Sequence, residues 1–229
     1  MDELRRQELA ANLAELRERM ARACASADRR VDSVHLIAVT KTWPVEDVRI
    51  LCDLGISDFG ENRDQEAHGK AAAFAQADGR DVRWHFIGQL QSKKAKSVMG
   101  YASMVHTVDR VSLADALRKA ATAPLDCLLQ LSVDGDQQRG GVAEADTATL
   151  LEHIDGLLRL RGVMAMAPLG MQPAAAFEKV AGMHDRVQSL RPEAELRCIG
   201  MSDDFEIAIA HGATHIRVGS ALLGHRAVR

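Results

Sequence analysis

Val34-His-Leu-Ile-Ala-Val-Thr40, bounded by Lys41 and Pro44, is the stretch on which the fold turns. It is too short for a core helix and too apolar for an edge strand, so it reads as a strand buried on both faces. On its N-terminal side Leu4, Leu9, Leu13, Leu16 and Met20 recur at three- to five-residue spacing with charges between them. That spacing predicts one amphipathic helix over residues 2–25. On its C-terminal side the apolar run recurs near 56–60, 82–88, 103–108, 126–133, 160–166, 195–201 and 214–218. Helix-like segments fall near 45–54, 62–76, 91–98, 111–121, 143–157, 173–190 and 203–210, and a last short helix begins at Ser220. Strands alternating with helices predict parallel pairing through crossover connections. Eight such units in 229 residues match an α/β fold, a single (β/α)8 TIM barrel of about 250 residues. The barrel, with an extra N-terminal helix, spans 1–229 as one domain. A doubly wound open sheet is the alternative, but it often carries GxGxxG after its first strand, and Val39-Thr-Lys-Thr42 stands there instead.

Composition narrows the function. Lys+Arg 29 against Asp+Glu 32 leaves a net charge of −3, so no global basic field points to nucleic acid or an anionic membrane surface. Two Trp, one Tyr and five Phe offer few platforms for stacking bases. Cys24, Cys52, Cys127 and Cys198 form no CxxC pair, which argues against a structural metal; Cys52, Cys127 and Cys198 lie in apolar surroundings and read as reduced, buried thiols. The charged N-terminus lacks the apolar core of a signal peptide, and no apolar run approaches the ~20 residues that cross a bilayer. The expected location is cytoplasmic, with no membrane partner.

A barrel carries its working residues at the C-terminal ends of its strands. Lys41 closes the first. It reads either as a rim lysine, snorkelling or ion-paired, or as an amine made nucleophilic by desolvation and ready to form an imine with a carbonyl. Phe59-Gly-Glu-Asn62 ends the second, where Glu-Asn at a strand-to-helix junction suits a cap. His85 in Trp84-His-Phe-Ile-Gly88, and His106 at the fourth strand's end, read as acid–base groups or as hydrogen-bonded interior histidines. In Ile216-Arg-Val-Gly-Ser220 the strand runs directly into a helix, so Gly219 and Ser220 offer amides and a hydroxyl to an anion. A phosphate in this fold often sits beside the loops after strands seven and eight. The seventh unit supplies Gly200-Met-Ser-Asp-Asp204, in which Ser202 either caps its own helix or faces the same anion. Arg217 shares a face with Gly219, and an interior arginine needs a partner, either a carboxylate or a ligand atom. Two resemblances fail: Gly219 to Gly224 has phosphate-loop spacing but is followed by His225-Arg226, and His211-xxx-His215 spans a helix end and a strand start.

A strand-end lysine, a phosphate cradle and an interior arginine suit pyridoxal 5′-phosphate. The sequence resembles the pyridoxal phosphate homeostasis protein family, single-barrel relatives of the N-terminal domain of alanine racemase. The motifs run in order along nearly the whole chain: Asn12-Leu13, Ala38-Val-Thr-Lys-Thr42, Phe59-Gly-Glu-Asn62, Trp84-His-Phe-Ile-Gly88, Leu90-Gln-Ser92, His106-Thr-Val-Asp-Arg110, Leu160-Arg-Gly-Val-Met164, Gly200-Met-Ser-Asp203 and Arg217-Val-Gly-Ser220. The resemblance implies the barrel of fold type III cofactor proteins, with Lys41 holding the cofactor as a Schiff base. It places Asn62 beside the pyridine ring, Arg217 at the ring nitrogen, Ser202, Gly219 and Ser220 on the phosphate, and Met201 nearby. A fixed positive charge at the ring nitrogen disfavours pyridinium and weakens the ring as an electron sink. Ser220 stands where the family more usually has threonine, Lys93 where asparagine is frequent, Arg139 where lysine is common and Cys198 where serine is.

Three functions follow. The first is a homeostasis protein without turnover, holding the cofactor and passing it to apo forms of pyridoxal-phosphate enzymes, as a monomer or weak dimer. The second is an amino-acid racemase or related enzyme; the third is a phosphate-handling barrel with no bound aldehyde. Resemblance favours the first. So does the chain's end at Arg229, which leaves no room for the C-terminal β-domain of alanine racemases, and so does a single tyrosine, Tyr101, placed on the opposite rim.

Overall fold

The computed structural model describes residues 3–77 and 81–224, apart from the side chains of residues 76, 77 and 137. Among them, eight parallel strands follow one another in chain order around a closed barrel. They are β1 (His35–Val39), β2 (Asp58–Glu61), β3 (Arg83–Phe86), β4 (Ala102–Val108), β5 (Leu125–Gln130), β6 (Leu158–Met164), β7 (Leu196–Cys198) and β8 (His215–Val218). Between successive strands run α2 (Val45–Asp53), α3 (Asp64–Ala77), α4 (Ala95–Met99), α5 (Val111–Ala120), α6 (Thr147–Glu152), α7 (Pro173–Leu190) and α8 (Phe205–Ala210). Helix α1 (Glu3–Ser26) precedes β1, and α9 (Ser220–Leu223) follows β8. The (β/α)8 barrel read from the sequence is the fold, and pairing of β8 with β1 excludes the open sheet. His225 and Arg226 lie outside the described residues.

Alternate strand residues serve two apolar layers. Ile37, Met104, Leu128, Met164 and Cys198 pack inside the barrel, whereas Ala38, Phe59, Val105, Cys127 and Val163 belong to the layer shared with the helices. Burial on both faces explains the unbroken apolar runs. Each helix contributes one stripe, such as Leu113, Ala114 and Leu117 of α5. With four residues, α9 is too short to cover the β8–β1 seam, and α1 covers it by packing on α2, α8 and α9. It buries Leu9, Leu13, Leu16, Met20 and Cys24, and its Asn12 Nδ2 donates to the Leu222 carbonyl at 3.0 Å. Leu4, expected on the same face, is 76% exposed; five residues before Leu9, it is rotated off the stripe.

Two predicted helices are shorter than their patterns. Residues 91–98 form a single 3-10 turn (Ser92–Lys94) leading into α4. Residues 143–157 form another such turn (Glu144–Asp146) leading into α6. The predicted strand 126–133 stops at Gln130, because Leu131 bridges to Val142 as the following loop folds back over the barrel mouth. The cysteines form no disulfide among the described residues; Cys24, Cys127 and Cys198 are buried and Cys52 is half-buried.

The lower barrel interior is polar. His85 Nδ1 and His106 Nε2 lie 2.8 Å apart, and His85 Nε2 lies 2.8 Å from Asp58 Oδ1. The His35 and His215 rings stack at 4.9 Å. The interior-histidine reading of His85 and His106 therefore describes their surroundings. Burial, reinforced by His85 and Arg217, drives His106 well below the usual imidazole range. Burial likewise pushes His215 down to about 3, with His35 and His85 adding repulsion. In α7, burial also lowers His184, which donates Nε2–H to the Ala194 carbonyl at 2.7 Å. Asp58 is the converse: burial would raise it, but hydrogen bonds from Arg83 and His85 outweigh that and hold it below the carboxylate range.

These directions fix how stability depends on pH. A histidine kept neutral in the folded protein is protonated only on unfolding below about pH 6.5. Its contribution is complete above that value and is lost as pH falls. Each such histidine adds a slope of up to ~1.4 kcal/mol per pH unit. Asp58 adds its loss only below about pH 4, while Glu61 and Asp204, raised by burial, oppose the trend above their ordinary carboxyl values. The urea midpoint should therefore fall steadily from pH 7 to pH 5, and His215→Gln should reduce that slope by about one proton. A flat midpoint across this window would contradict neutral buried histidines.

Candidate functional site

The ends of β1, β2, β7 and β8 converge on one cavity of about 520 Å³ at the C-terminal mouth of the barrel. Lys41, Asn62, Met201, Ser202, Arg217, Gly219 and Ser220, the seven residues singled out in the sequence, all line it. Strand order explains the gathering: β8 pairs with β1 and β1 with β2, so residues just beyond each strand become neighbours.

Lys41 lies two residues past the end of β1 and is exposed. Among the described residues its amine has no hydrogen-bond or ion-pair partner, so the ion-paired rim lysine is not what forms. The buried lysine is Lys70 of α3, 7% exposed, which donates to the Thr40 carbonyl at 2.7 Å, to Glu61 Oε1 at 2.7 Å and to Glu66 Oε1 at 2.8 Å. Glu61 is thus no helix cap. It ends β2, is 1% exposed, and accepts the Thr40 hydroxyl at 2.6 Å; burial pushes its carboxyl up while Lys70 and Thr40 pull it down. Asn62 follows with its buried Oδ1 unpartnered among the described residues. Gly88 is what allows Asn62 that position: a Cβ on Gly88 would fall 2.1 Å from the Asn62 carbonyl oxygen.

Ser202 does not cap α8, whose N-cap is Asp204. Its Oγ instead accepts the amides of Gly219 at 3.4 Å and Ala221 at 3.3 Å, joining the seventh unit to the eighth. Asp204, raised by burial, accepts the Met201 amide at 2.6 Å and so fixes the turn that presents Met201 and Ser202. Two hydroxyls and the amides at the start of α9 make a donor set suited to a phosphate-sized anion.

Arg217, 4% exposed, has no carboxylate partner among the described residues. It donates to the carbonyls of Cys198 at 2.8 Å and Ala165 at 3.0 Å, and to Cys198 Sγ at 3.1 Å. Its charge is therefore oriented by neutral acceptors and faces the cavity uncompensated. Burial raises the Cys198 thiol, against the pull of Arg217.

The sequence did not single out Thr107, Gln130, Met164 and Met166 as lining residues. Gln130 is 3% exposed; its Nε2 donates to the Arg139 carbonyl at 3.1 Å, while its Oε1 is unpartnered among the described residues. A polar residue closing the apolar run Leu125–Gln130 was the available signal, the same one that marked Lys41. Arg139 also lines the cavity and donates to the Ala167 carbonyl at 3.0 Å. Lys93 is exposed on the 3-10 turn before α4.

Comparison with known proteins gives this geometry a lineage. Residues 5–227 match the family model described as alanine racemase, N-terminal domain. Curated relatives named pyridoxal phosphate homeostasis protein include one from Mycobacterium leprae, 39% identical and covering 98% of this chain and 95% of its own. Another, from Escherichia coli K12, is 34% identical and covers 96% of this chain and 97% of its own. Among solved structures, PipY of Synechococcus elongatus with PLP bound is 34% identical with a TM-score of 0.82, covering 94% of this chain and 100% of that one. Alanine racemase from Corynebacterium glutamicum, 13% identical with a TM-score of 0.74, shares the fold over 95% of this chain and 60% of that one. By full-length identity, motif order and fold, the chain belongs to the pyridoxal phosphate homeostasis protein family.

Proposed function

We propose that the chain, one barrel domain over 1–229, binds pyridoxal 5′-phosphate at this mouth. It holds the aldehyde as a Schiff base on Lys41 and serves homeostasis of the cofactor in the cytoplasm without turnover. The observation that carries this reading is an unpartnered lysine amine and an anion-binding donor set lining one cavity. The cofactor supplies an electrophilic aldehyde, which an amine attacks.

The residues divide the work. Ser202, Ser220 and the Gly219 amide bind the phosphate, with Met201 covering it. Asn62 lies against the ring, its orphaned amide oxygen matching a ligand's polar edge. Arg217 faces the ring nitrogen and keeps it unprotonated, which leaves the ring a poor sink for carbanion charge. The exposed mouth, with Lys41 at its edge, suits release to apo forms of pyridoxal-phosphate enzymes by a monomer or weak dimer. No helix among the described residues is long and apolar enough to cross a membrane.

A racemase is the alternative. What weighs against it is the place of Tyr101, the chain's one tyrosine. It precedes β4, donates to Asp64 Oδ1 at 3.4 Å, and lines a groove by α3 instead of the cavity. Burial, with Asp64 close by, raises its phenol further, away from use as a base.

Purified protein loaded with the cofactor should show a visible imine band, and borohydride should fix the label on Lys41. Lys41→Ala should lose the band; an unchanged band would overturn the assignment. Ser202→Ala combined with Ser220→Ala should leave the band attainable at high cofactor concentration but lose the cofactor on dialysis, and retention equal to wild type would refute the phosphate site. Steady racemisation of a free amino acid, scaling with protein, would favour the alternative.

A further inference from the structure

We propose that Lys70, Glu61 and Glu66 are positioning residues for Lys41: one buried charge cluster grips the residues on either side of it and leaves its amine free. The inference rests on the reading of Lys41 as the imine-forming lysine.

Lys41 lies in a turn beyond the end of β1, where a site is less rigid than on a helix or strand. Its neighbours are held instead. Thr40, 0% exposed, is bound twice: its carbonyl accepts Lys70 Nζ at 2.7 Å and its hydroxyl donates to Glu61 Oε1 at 2.6 Å. The amide of Thr42 donates to Glu66 Oε1. Lys70 ties these grips together, since its three N–H donors are taken by Thr40, Glu61 and Glu66. Glu66 and Lys70 are one helical turn apart on α3, so a rigid helix carries both.

Backbone strain shows what the cluster holds. Thr42 has φ of +67°, a left-handed conformation that a β-branched residue rarely adopts. Such a residue persists only where its surroundings over-determine it; here the Trp43 amide closes the turn on the Thr40 carbonyl at 3.0 Å, and the bond from Thr42 N–H to Glu66 is the restraint the cluster adds. A buried ion pair is weak evidence for stability, since apolar residues often replace one without loss. Here, however, Lys70 and Glu66 end on backbone atoms of residues 40 and 42 and Glu61 on the Thr40 hydroxyl, and an apolar replacement would not set the direction of residue 41.

The test uses the full chain, apo, with pyridoxal 5′-phosphate as probe and a reduced analogue lacking the aldehyde as control. Glu66→Ala should slow appearance of the imine band on the order of tenfold, because fewer molecules hold Lys41 in place. The same variant should bind the aldehyde-free analogue as wild type does, since among the described residues Glu66 bonds Thr42 and Lys70 and no member of the phosphate cradle. Glu66→Gln, which keeps an acceptor oxygen for Thr42, should recover most of the rate. Glu61→Gln combined with Lys70→Met removes the charges together and should repeat the Glu66→Ala result should that variant fold poorly. An imine rate unchanged in both, or equal losses for aldehyde and analogue, would overturn the positioning role. A band that survives Lys41→Ala would instead overturn the lysine assignment, and this inference with it.

Discussion

The four residue pairs that join β1 to β8, from His35↔His215 to Ala38↔Val218, carry the architecture of the mouth. They close the sheet, and closure alone makes neighbours of the loop after the first strand and the loop after the last. A lysine near residue 40 and a hydroxyl near residue 220 have no other reason to share a cavity. Because both strands run in one direction, both loops emerge side by side at the same rim. The site is therefore a property of ring closure before it is a property of any side chain.

Closure also buries charge, and the protein distributes that cost unevenly. Arg217 is satisfied by two carbonyls and a thiol, an arrangement that orients a cation without neutralising it. Glu61 and Lys70 neutralise each other at 2.7 Å in the layer between barrel and helix. Lower in the barrel, His106 and His215 stay neutral and Asp58 stays charged. Arg217 thus brings a buried, uncompensated positive charge to the cavity lining, where an anionic or electron-rich ligand would meet it.

Much of this was legible in the sequence, and the limits are physical. Strand number and order followed from apolar runs buried on both faces, which leave an unmistakable pattern. Lys41, Asn62, Ser202, Arg217, Gly219 and Ser220 stood at strand-to-helix junctions, where a barrel exposes its working groups. What failed was the assignment of partners. Ser202 suited a cap for its own helix, yet its hydroxyl reaches the next unit. Glu61 suited a cap too, yet it pairs across to α3. Lys70 drew no attention, since a lysine in a helix with acidic neighbours is indistinguishable by sequence from one on a solvated face. Partners three or four residues apart can be inferred from periodicity; those set by the angle between a strand and its covering helix cannot.

The long first helix has a bearing on how the chain reaches this state. Asn12 is bonded to a carbonyl 210 residues further on, and Arg5 to the carbonyl of Leu223. During synthesis from the N-terminus, α1 has α2 early but waits for α8 and α9, its larger partners, until the chain is nearly complete. Its apolar stripe stays open for most of translation, and pairing of that sequence separation closes slowly. Completion of the anion cradle and docking of α1 then become one late event. A chain stalled short of β8 would lack both, and would present to the cell an unburied helix instead of a half-built site.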